Sequence, residues 1–365
     1  MRIAHVSTFP AMKCGIAFYA NDLVKALPQA QHETYALHYG KNVTRGATNH
    51  ANVNNYLSVR RLAQAVSRSA VDIINLQHEF GIWGGLHGEH LLDFLNHVGK
   101  PIVSTLHTTF EPAARPAIQT ALLRRLVERS ATTFVLSPAS RDTLCMALQL
   151  PRDAIAVVPH GVPNIHYVPP VPPTGRHPWR FCAIGFFRPN KGIEETLQAF
   201  AMLRNEGIAF HFTMVGSPQL QFAGQDTYLS SLQHLVTTLD LTNEVRLRRA
   251  FLTRAQQLAV IQSAHAGVFA YQDPDQSSSG TIPLVLASGR PTICTPFEYA
   301  KAKARELGNA VWLAKSFDSR AIVQVLKRFI SARTAHAQLS KELYRSTRSW
   351  LWSEVGRTYE RAFIR

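Results

Sequence analysis

The segment Tyr271–Pro296 of this 365-residue chain reads YQDPDQSSSGTIPLVLASGRPTICTP. Its periodicity predicts a buried strand, a short helix and a second strand, at Gly267–Tyr271, Ile282–Leu286 and Thr292–Thr295. A turn of small residues that opens a helix after a parallel strand presents backbone N–H groups to an anion, most often a phosphate. The alternative is an ordinary strand-to-helix turn in which Ser and Gly serve as caps. The segment therefore indicates one βαβ unit with a candidate phosphate site.

The same alternation of strand and helix extends over most of the chain. Further strands are predicted at Arg2–Ser7, Val71–Leu76, Ile102–Leu106, Thr133–Leu136, Ile155–Val158, Arg180–Ile184, His211–Val215, Val245–Leu247 and Ala310–Leu313. Helices are predicted between strands at Leu86–Val98, Ala117–Arg129, Ile193–Arg204, Thr227–Leu239 and Arg254–Ser263. Such alternation is typical of parallel sheets covered on both faces by helices. We therefore predict an α/β chain with two doubly wound, Rossmann-like domains, 1–165 and 180–340, that face each other across a cleft. A proline-rich linker at 166–179 joins them, and 341–365 form a C-terminal helix.

Composition limits the class of protein. The net charge is +15 and the pI is about 10.0, which attracts polyanions such as nucleic acid, anionic lipid or phosphorylated small molecules. The basic residues are interspersed, and no nucleic-acid recognition motif is present, so nucleic acid is an unlikely partner. No apolar run reaches the roughly 18 residues of a membrane span, and the N-terminus lacks a signal-peptide pattern. Four scattered cysteines indicate neither a disulfide framework nor a zinc site. We expect a cytoplasmic protein.

Ligands of doubly wound sheets bind beyond the carboxyl ends of the strands. The predicted strand ends carry Gln77, His78, Glu79 and His107 in the first domain, and Arg188, Lys191, Gly216, Phe251, Leu252, Ser278, Ser279, Gly280 and Thr281 in the second. Arg188 and Lys191 frame a turn and would pair well with a diphosphate, although two exposed cations is the plainer interpretation. His107 would donate to a sugar hydroxyl or stabilise developing charge, or it is structural. Gln77, His78 and Glu79 would hold an acceptor hydroxyl or cap a helix.

A set of short motifs recurs in a fixed order. They are Cys14-Gly15-Ile16-Ala17 with Tyr19, Thr105-Leu106-His107, Val158–Pro163, Gly185–Gly192, Val215-Gly216, Phe251-Leu252-Thr253, Ala287–Pro291, and the tail motifs Ser349–Trp352 and Arg357–Glu360. Their order and spacing resemble the retaining GT-B glycosyltransferases of family 4 (group 1 type). The resemblance spans nearly the whole chain.

The resemblance implies that a sugar passes from a nucleotide diphosphate sugar to a glycan or glycolipid acceptor with retention, as in polysaccharide biosynthesis. No metal or other cofactor is implied, because helix dipoles and cations neutralise the leaving diphosphate. By the same analogy, Arg188 and Lys191 bind that diphosphate, Gly15 allows close approach to the donor, and His107 contacts the sugar. Gly216, Phe251, Leu252 and Ser278–Thr281 belong to the donor side, and 341–365 cross back to the first domain, which is the acceptor side.

Three positions depart from the family pattern. Gln276 and Leu284 stand where two glutamates are common, and Phe186 stands where an arginine is usual. Gln276 can still hydrogen-bond the donor sugar, whereas Leu284 cannot bond the ribose. The departures keep two alternatives open: a glycosyltransferase-like subunit that binds a sugar nucleotide without turnover, and a GT-B phosphorylase. The basic surface would suit peripheral contact with an anionic membrane.

Overall fold

The computed structural model describes residues 1–40, 43–109, 116–174, 177–217, 225–332 and 336–364, with the backbone alone at 225–226. Two compact units divide the chain. The first unit comprises Met1–Gly161 and Trp350–Arg365, and the second unit comprises Val162–Ser349. Phe110, which follows the predicted strand end at His107, lies outside the described residues. So do Gly175 and Arg176 of the predicted linker.

The first unit is built on a seven-stranded parallel sheet. Its strands are β1 Arg2–Ser7, β2 Gln31–His38, β3 Asn49–Asn52, β4 Ile73–His78, β5 Ile102–Leu106, β6 Ser130–Val135 and β7 Ala156–Val157. Its helices are α1 Gly15–Lys25, α2 Tyr56–Arg68, α3 His90–His97, α4 Ala117–Arg129, α5 Pro138–Leu148 and, from the C-terminus, α13 Trp352–Ile364. The strand order is β3-β2-β1-β4-β5-β6-β7, so the direction in which strands are added reverses between β1 and β4.

Helices cover both faces of this sheet. Buried apolar residues of α2, α3, α4 and α5 form one core with β1, β2, β4 and β5. On the other face, Tyr19 and Leu23 of α1 pack with Trp352, Val355 and Tyr359 of α13. Trp352 contacts the chain so closely that a Cβ on Gly161 would lie 2.3 Å from its ring. The C-terminal helix is therefore part of the core of the first unit.

The second unit is built on a six-stranded parallel sheet in the order β10-β9-β8-β11-β12-β13. Its strands are β8 Trp179–Ile184, β9 Phe210–Gly216, β10 Val245–Arg249, β11 Ala266–Phe269, β12 Thr292–Cys294 and β13 Val311–Leu313. Its helices are α6 Ile193–Asn205, α7 Gln225–Thr238, α8 Arg254–Ser263, α9 Ile282–Ala287, α10 Glu298–Leu307, α11 Ser319–Ser331 and α12 His336–Ser346. The first six strands of one sheet and the six of the other thus share one order, and the predicted pair of doubly wound α/β sheets is confirmed.

The proline-rich segment belongs to the second unit. The Val168 carbonyl accepts a hydrogen bond from Nη2 of Arg290 at 2.9 Å, and the Val171 carbonyl accepts one from Nε2 of His265 at 2.6 Å. Both donors lie in the body of that unit, beside β11 and β12. These contacts tie the segment to the second unit, and the predicted bounds of the linker stay a prediction.

Arg290 is the largest charged side chain in the interior of the second unit, and its exposed fraction is 0%. Its guanidinium donates to the carbonyls of Ala264, Ser288, Val168 and Gln262 at 2.7–3.3 Å, and to Ser340 Oγ at 3.5 Å. Burial lowers the pKa of Arg290 to about 10, so the group stays charged at neutral pH. Because Arg290 lies two residues before the start of β12, it is at the amino edge of the sheet and joins segments there.

Candidate functional site

The carboxyl edge of the second sheet opens where the strand order reverses, between β8 and β11. In doubly wound sheets the loops after these two strands diverge and leave a crevice. A small cavity lies at this point, and its lining includes Ile184, Gly185, Phe186, Lys191, Phe269 and Tyr271. The structure therefore brings Gly185 and Lys191 of the predicted basic turn together with the start of the segment Tyr271–Pro296.

Two glycines allow the backbones at this edge to approach closely. A Cβ on Gly216 would lie 1.8 Å from the Gly185 carbonyl oxygen. Gly192 has φ +62°, and a Cβ there would lie 1.8 Å from the carbonyl oxygen of Ala270. Larger residues would clash at both positions. A Cβ on Gly185 itself meets no atom of the described residues within 4 Å, so the space in front of it is open.

Lys191 provides a positive charge at this crevice. Its Nζ lies 3.6 Å from the centroid of the Tyr271 ring, and the ring in turn stacks on Phe297 at 4.9 Å. A cation over an aromatic face is held by the ring quadrupole while its remaining donors stay available. Arg188, half-buried, begins the short 3₁₀ turn that ends at Lys191. The two predicted cations thus flank a single turn next to the crevice.

Polar groups of the predicted phosphate loop form hydrogen bonds within the loop and to the helix that follows it. The helix that follows it, α9, has six residues, all buried. Ser279 Oγ accepts a hydrogen bond from the Ile282 N–H at 3.3 Å, and Gln276 Nε2 donates to the Ser278 carbonyl at 2.9 Å. Gly280 is exposed. The N–H of Ile282, the first residue of the helix after the predicted phosphate loop, is therefore already capped by that loop.

The other donor-side positions differ in exposure. Phe251 is 38% exposed and Leu252 is 8% exposed, and Thr253 caps α8 in a capping box with Gln256. Leu284 is 1% exposed and packs inside α9. The position where family members commonly carry a second glutamate is therefore a core position in this chain.

At the carboxyl edge of the first sheet, the loop after β1 leads into α1. The Sγ of Cys14 caps this helix by accepting from the Ala17 N–H at 3.4 Å, and it lies 3.2 Å from Thr8 Oγ1. A Cβ on Gly15 would meet no atom of the described part of the chain within 4 Å. The fold itself therefore does not require glycine at position 15.

A chain of five hydrogen-bonded polar side chains crosses this sheet: His32, His5, Asn75, Gln77 and His107. At its start, His32 Nε2 donates to the Leu27 carbonyl at 2.9 Å. His5 Nε2 lies 2.9 Å from His32 Nδ1, and Asn75 Nδ2 lies 2.9 Å from His5 Nδ1. The parallel pairing of β1 with β2 and β4 brings these residues together.

The chain continues to His107. Gln77 Nε2 donates to Asn75 Oδ1 at 3.0 Å, and Gln77 Oε1 lies 2.8 Å from Nε2 of His107. Asn75 and Gln77 are each 1% exposed, and His107 is 5% exposed. Burial lowers the pKa of His107 well below its ordinary value, and the nearby imidazoles of His160 and His78 lower it further. His107 is therefore neutral, and both ends of the Gln77 amide, predicted to hold an acceptor, are already engaged.

The aromatic ring of Tyr19 packs against His107. The two rings meet edge to face, with centroids 4.7 Å apart. The Tyr19 hydroxyl lies 3.0 Å from the hydroxyl of Tyr359 in α13, which lies 2.5 Å from Thr105 Oγ1. The C-terminal helix thereby buttresses the residue predicted to contact the sugar.

The remaining acceptor-side predictions are His78 and Glu79. His78 is 0% exposed, its ring edge packs on Phe80 at 4.7 Å, and neither ring nitrogen has a hydrogen-bond partner among the described residues. Burial lowers its pKa to about 3. The Glu79 Oε2 atom accepts from the Gly81 N–H at 2.7 Å and caps a short turn. His78 thus lies inside the unit, and Glu79 has the capping role that the sequence left as its alternative.

Sequence reasoning missed several of these residues. His32 lies on β2, whose first half is polar and was not predicted as a strand, and His5 and Asn75 lie within strands whose apolar neighbours dominate the pattern. The available signal was a polar residue inside a buried strand, since such groups require hydrogen-bond partners. Tyr359 gave no signal beyond its place in a tail motif.

The described ranges hold neither a metal-binding cluster nor a membrane-spanning helix. No group of three or more His, Cys, Asp or Glu side chains is arranged to hold a metal ion there. No helix in the same ranges is both long and apolar enough to cross a membrane.

Comparisons with known proteins identify similar sequences and similar folds. Residues 14–164 match the sequence model of Glycosyltransferase Family 4. The predicted resemblance to that family is confirmed. No curated protein matches the sequence. The matched range comprises most of the first unit. Four of the five hydrogen-bonded side chains lie within it, and His5 precedes it.

Several solved structures share the fold over the whole chain. HepE of Anabaena, solved with UDP and glucose, superposes with a TM-score of 0.78 at 13% identity and covers 100% of this chain and 99% of its own. Sucrose-phosphate synthase of Thermosynechococcus elongatus gives 0.74 at 14% identity, with 100% and 98% covered. The lipopolysaccharide outer core galactosyltransferase WaaB gives 0.68 at 13% identity, with 100% and 99% covered. The fold is therefore GT-B.

Proposed function

We propose that this protein is a retaining, metal-independent hexosyltransferase that moves a sugar from a nucleotide diphosphate sugar to a glycan or glycolipid acceptor. The observation that carries the proposal is the crevice at the carboxyl edge of the second sheet. There Gly185 faces open space, and Lys191 is held over the ring of Tyr271. The crevice combines this open approach to the backbone with a fixed positive charge.

The chemistry of this edge suits a nucleotide diphosphate. Phosphate oxygens accept charge-assisted hydrogen bonds, which are about twice as strong as neutral ones. Lys191 and Arg188 would bind the diphosphate and stabilise the charge that develops on it as the sugar departs. This role needs no metal ion. Following the family resemblance, the departing phosphate would serve as the base toward the acceptor.

The first unit supports the sugar half of the proposal. His107 is neutral and nearly buried at the carboxyl edge of its sheet, so its ring suits hydrogen bonding to an uncharged hydroxyl better than pairing with a phosphate. The solved neighbours add support of another kind: HepE is titled as a complex with UDP and glucose, and a neighbour from E. coli as bound with UDP-2-fluoro glucose.

A place in cell-surface glycan assembly is the finer part of the proposal. WaaB, whose name refers to the lipopolysaccharide outer core, is one neighbour. The net charge of +15 would favour peripheral contact of this protein with an anionic inner membrane face, where lipid-linked acceptors are held.

A donor panel tests the proposal. The protein is incubated with UDP-, GDP- and ADP-sugars, and both thermal shift and release of the nucleoside diphosphate are measured, with and without inorganic phosphate. We expect one donor to stabilise the protein and to be consumed without phosphate. The absence of any shift and any turnover across the panel would refute the proposal, and consumption only with phosphate would indicate a phosphorylase.

A matched pair of variants then locates the diphosphate. Lys191→Met should raise the KM for the donor by about tenfold or more, because one charge-assisted hydrogen bond is lost. The control is Lys315→Met, an exposed lysine of the same unit. An equal KM in the two variants would remove Lys191 from the donor site.

A second candidate function is binding of a nucleotide sugar without turnover, as a partner subunit. Neither Gln276 nor Leu284, which stand at the positions of the family's usual glutamates, carries a carboxylate. This candidate is also favoured because Leu284 is buried and the Gln276 amide donates to the Ser278 carbonyl. Donor binding with no consumption, in the presence of glycan and lipid-linked acceptors, would favour this candidate.

A further inference from the structure

We infer that Gln77, Asn75, His5 and His32 are positioning residues that hold His107 as its Nε2–H tautomer. Nδ1 of His107 is then a hydrogen-bond acceptor for a hydroxyl of a bound sugar. The tautomer follows from hydrogen-bond geometry alone. The identity of the ligand rests on the proposed function.

The direction of the chain is set at its first bond. A carbonyl oxygen can only accept, so His32 must carry its proton on Nε2, which lies 2.9 Å from the Leu27 carbonyl. In a neutral imidazole the other nitrogen is then an acceptor. His32 Nδ1 therefore accepts from His5 Nε2, 2.9 Å away, and the proton of His5 is fixed on that atom.

The donor and the acceptor of each later hydrogen bond follow from this first one. Nδ1 of His5 must accept, so the amide nitrogen of Asn75 faces it at 2.9 Å. The Asn75 oxygen then accepts from Gln77 Nε2 at 3.0 Å, which leaves the Gln77 oxygen to face Nε2 of His107 at 2.8 Å. His107 must donate there, so its Nδ1 carries no proton.

The opposite arrangement requires an extra charge. Reversing every donor and acceptor would place a proton on Nδ1 of His32 while Nε2 still donates to the carbonyl, and His32 would be a cation. Near pH 8 an ordinary imidazole is neutral. His5, Asn75 and Gln77 are each 1% exposed, so water does not compete for their hydrogen bonds and the order propagates to His107.

This arrangement changes the part that His107 plays. The sequence predicts that His107 donates to a sugar hydroxyl, but its one proton is already given to Gln77. It can accept from a hydroxyl and cannot donate to an ether or carbonyl oxygen. The site would therefore select a sugar that carries a free hydroxyl at the position facing His107.

Nitrogen NMR of the full-length protein tests the tautomer without any activity. The protein is labelled with ¹⁵N-histidine, and long-range ¹H–¹⁵N spectra are recorded near pH 8, with His107 assigned by loss of its signals in His107→Gln. We expect a protonated Nε2 and an unprotonated Nδ1. A protonated Nδ1 would overturn the inference.

Two variants separate positioning from simple support. Gln77→Met removes both bonds of the amide at similar volume, and His32→Phe breaks the chain at its half-buried start. Both should shift His107 toward a mixture of tautomers, and Gln77→Met should lower kcat/KM by about tenfold. The control, His97→Phe, alters a half-buried histidine outside the chain. An unchanged tautomer in both Gln77→Met and His32→Phe would contradict the positioning role, even if stability fell.

The ligand is tested with the nucleotide sugar selected by the donor panel and its monodeoxy analogues. Binding of the parent sugar should shift the Nδ1 signal of His107, and one deoxy analogue should fail to do so. If a bound nucleotide sugar leaves the signal unchanged, the assignment of a hydroxyl to Nδ1 is wrong. If no donor binds, the proposed function fails while the tautomer measurement still stands or falls alone.

Discussion

The two sheets share a strand order, yet their carboxyl edges are built from different chemistry. In the first unit, polar side chains lie inside the strands themselves, at His5, Asn75 and Gln77, and are hydrogen-bonded into one chain. In the second unit, β8 is followed by Gly185 and β9 ends at Gly216, and a positive charge lies in the loop beyond β8, on Lys191. The hydrogen-bonded chain of the first edge is neutral and buried, whereas the crevice of the second edge has a cation beside open space.

This difference follows from the free-energy cost of removing charged groups from water at each edge. A buried imidazole loses its proton, because burial disfavours the charged form, so the first edge is limited to neutral hydrogen bonding. At the second edge, the ammonium group of Lys191 lies over the face of the Tyr271 ring. Neutral acceptors and donors suit hydroxyl groups, whereas exposed cations suit phosphate. The same topology thus supplies two kinds of binding edge.

The largest expected effect concerns a buried charge that lies away from both carboxyl edges, that of Arg290. Arg290→Met should lower the free energy of unfolding of the second unit by about 3 kcal/mol or more, because several buried carbonyls lose a charged donor. Donor binding by the protein that remains folded should be unchanged, since Arg290 lies at the amino edge of the sheet. Urea denaturation followed by hydrogen exchange of peptides from β11 and β12 measures this.

Arg320→Met is the control, because Arg320 is exposed on α11. A loss of less than about 1 kcal/mol in Arg290→Met would show that water replaces the guanidinium. The second unit would then tolerate loss of its buried charge, and the contrast with the first unit would weaken.

The next largest effect separates fold from binding at the second edge. Gly216→Ala should destabilise the second unit by about 1–3 kcal/mol, because its Cβ would clash with the Gly185 carbonyl. Gly185→Ala meets open space in the described chain and should change stability by less than about 0.5 kcal/mol. It should nevertheless weaken binding of the nucleotide sugar, as measured by calorimetry. Unaltered affinity in Gly185→Ala would place the ligand elsewhere.

The smallest effect concerns pH and the neutral edge. The pKa of His78 is about 3 in the folded protein against an ordinary value of 6.5. Between these values the unfolded chain binds a proton that the folded chain does not, so stability falls as pH falls below 6.5. From there to about pH 5 the loss is about 2 kcal/mol. His78→Leu should reduce the dependence of the first unit's stability on pH. Hydrogen exchange of peptides from β4, recorded at several pH values, measures this dependence.

Above about pH 7, where His78 is neutral in both states, the variant should be at least as stable as the parent protein, because an unpartnered polar group is removed. An identical acid slope in the two proteins would show that His78 finds a hydrogen-bond partner or a proton in the folded state.

Strands with apolar periodicity were predictable, and those without it were not. β1 and β5 lie at their predicted bounds, and α4 and α8 are also as their spacing indicates. β2 begins with the polar residues Gln31–Thr34, and β3 reads Asn-His-Ala-Asn, so neither pattern predicts a strand. A helix was predicted over Leu86–Val98, whereas α3 begins at His90. The glycines before it adopt left-handed conformations that a helix excludes.

The candidate site divides in the same way. Its positions follow from the sequence, because carboxyl ends of parallel strands are binding edges wherever strands can be predicted. Its contacts do not, as Gln77 shows: its type and place indicate an acceptor contact, while its amide is bonded between Asn75 and His107. The roles of Arg188, Ser278 and Gln276 toward a donor stay predictions.

The sequence by itself determined the class of this protein: two doubly wound parallel sheets, a set of ordered family motifs and cations placed after predicted strands. Periodicity and turn chemistry act over a few residues, so they can be recognised along the chain. Only the tertiary structure decided that His32, on a strand without apolar periodicity, is connected to His107. Such a chain depends on strand order and register, which bring together residues that are far apart in sequence, and neither is written in any local pattern.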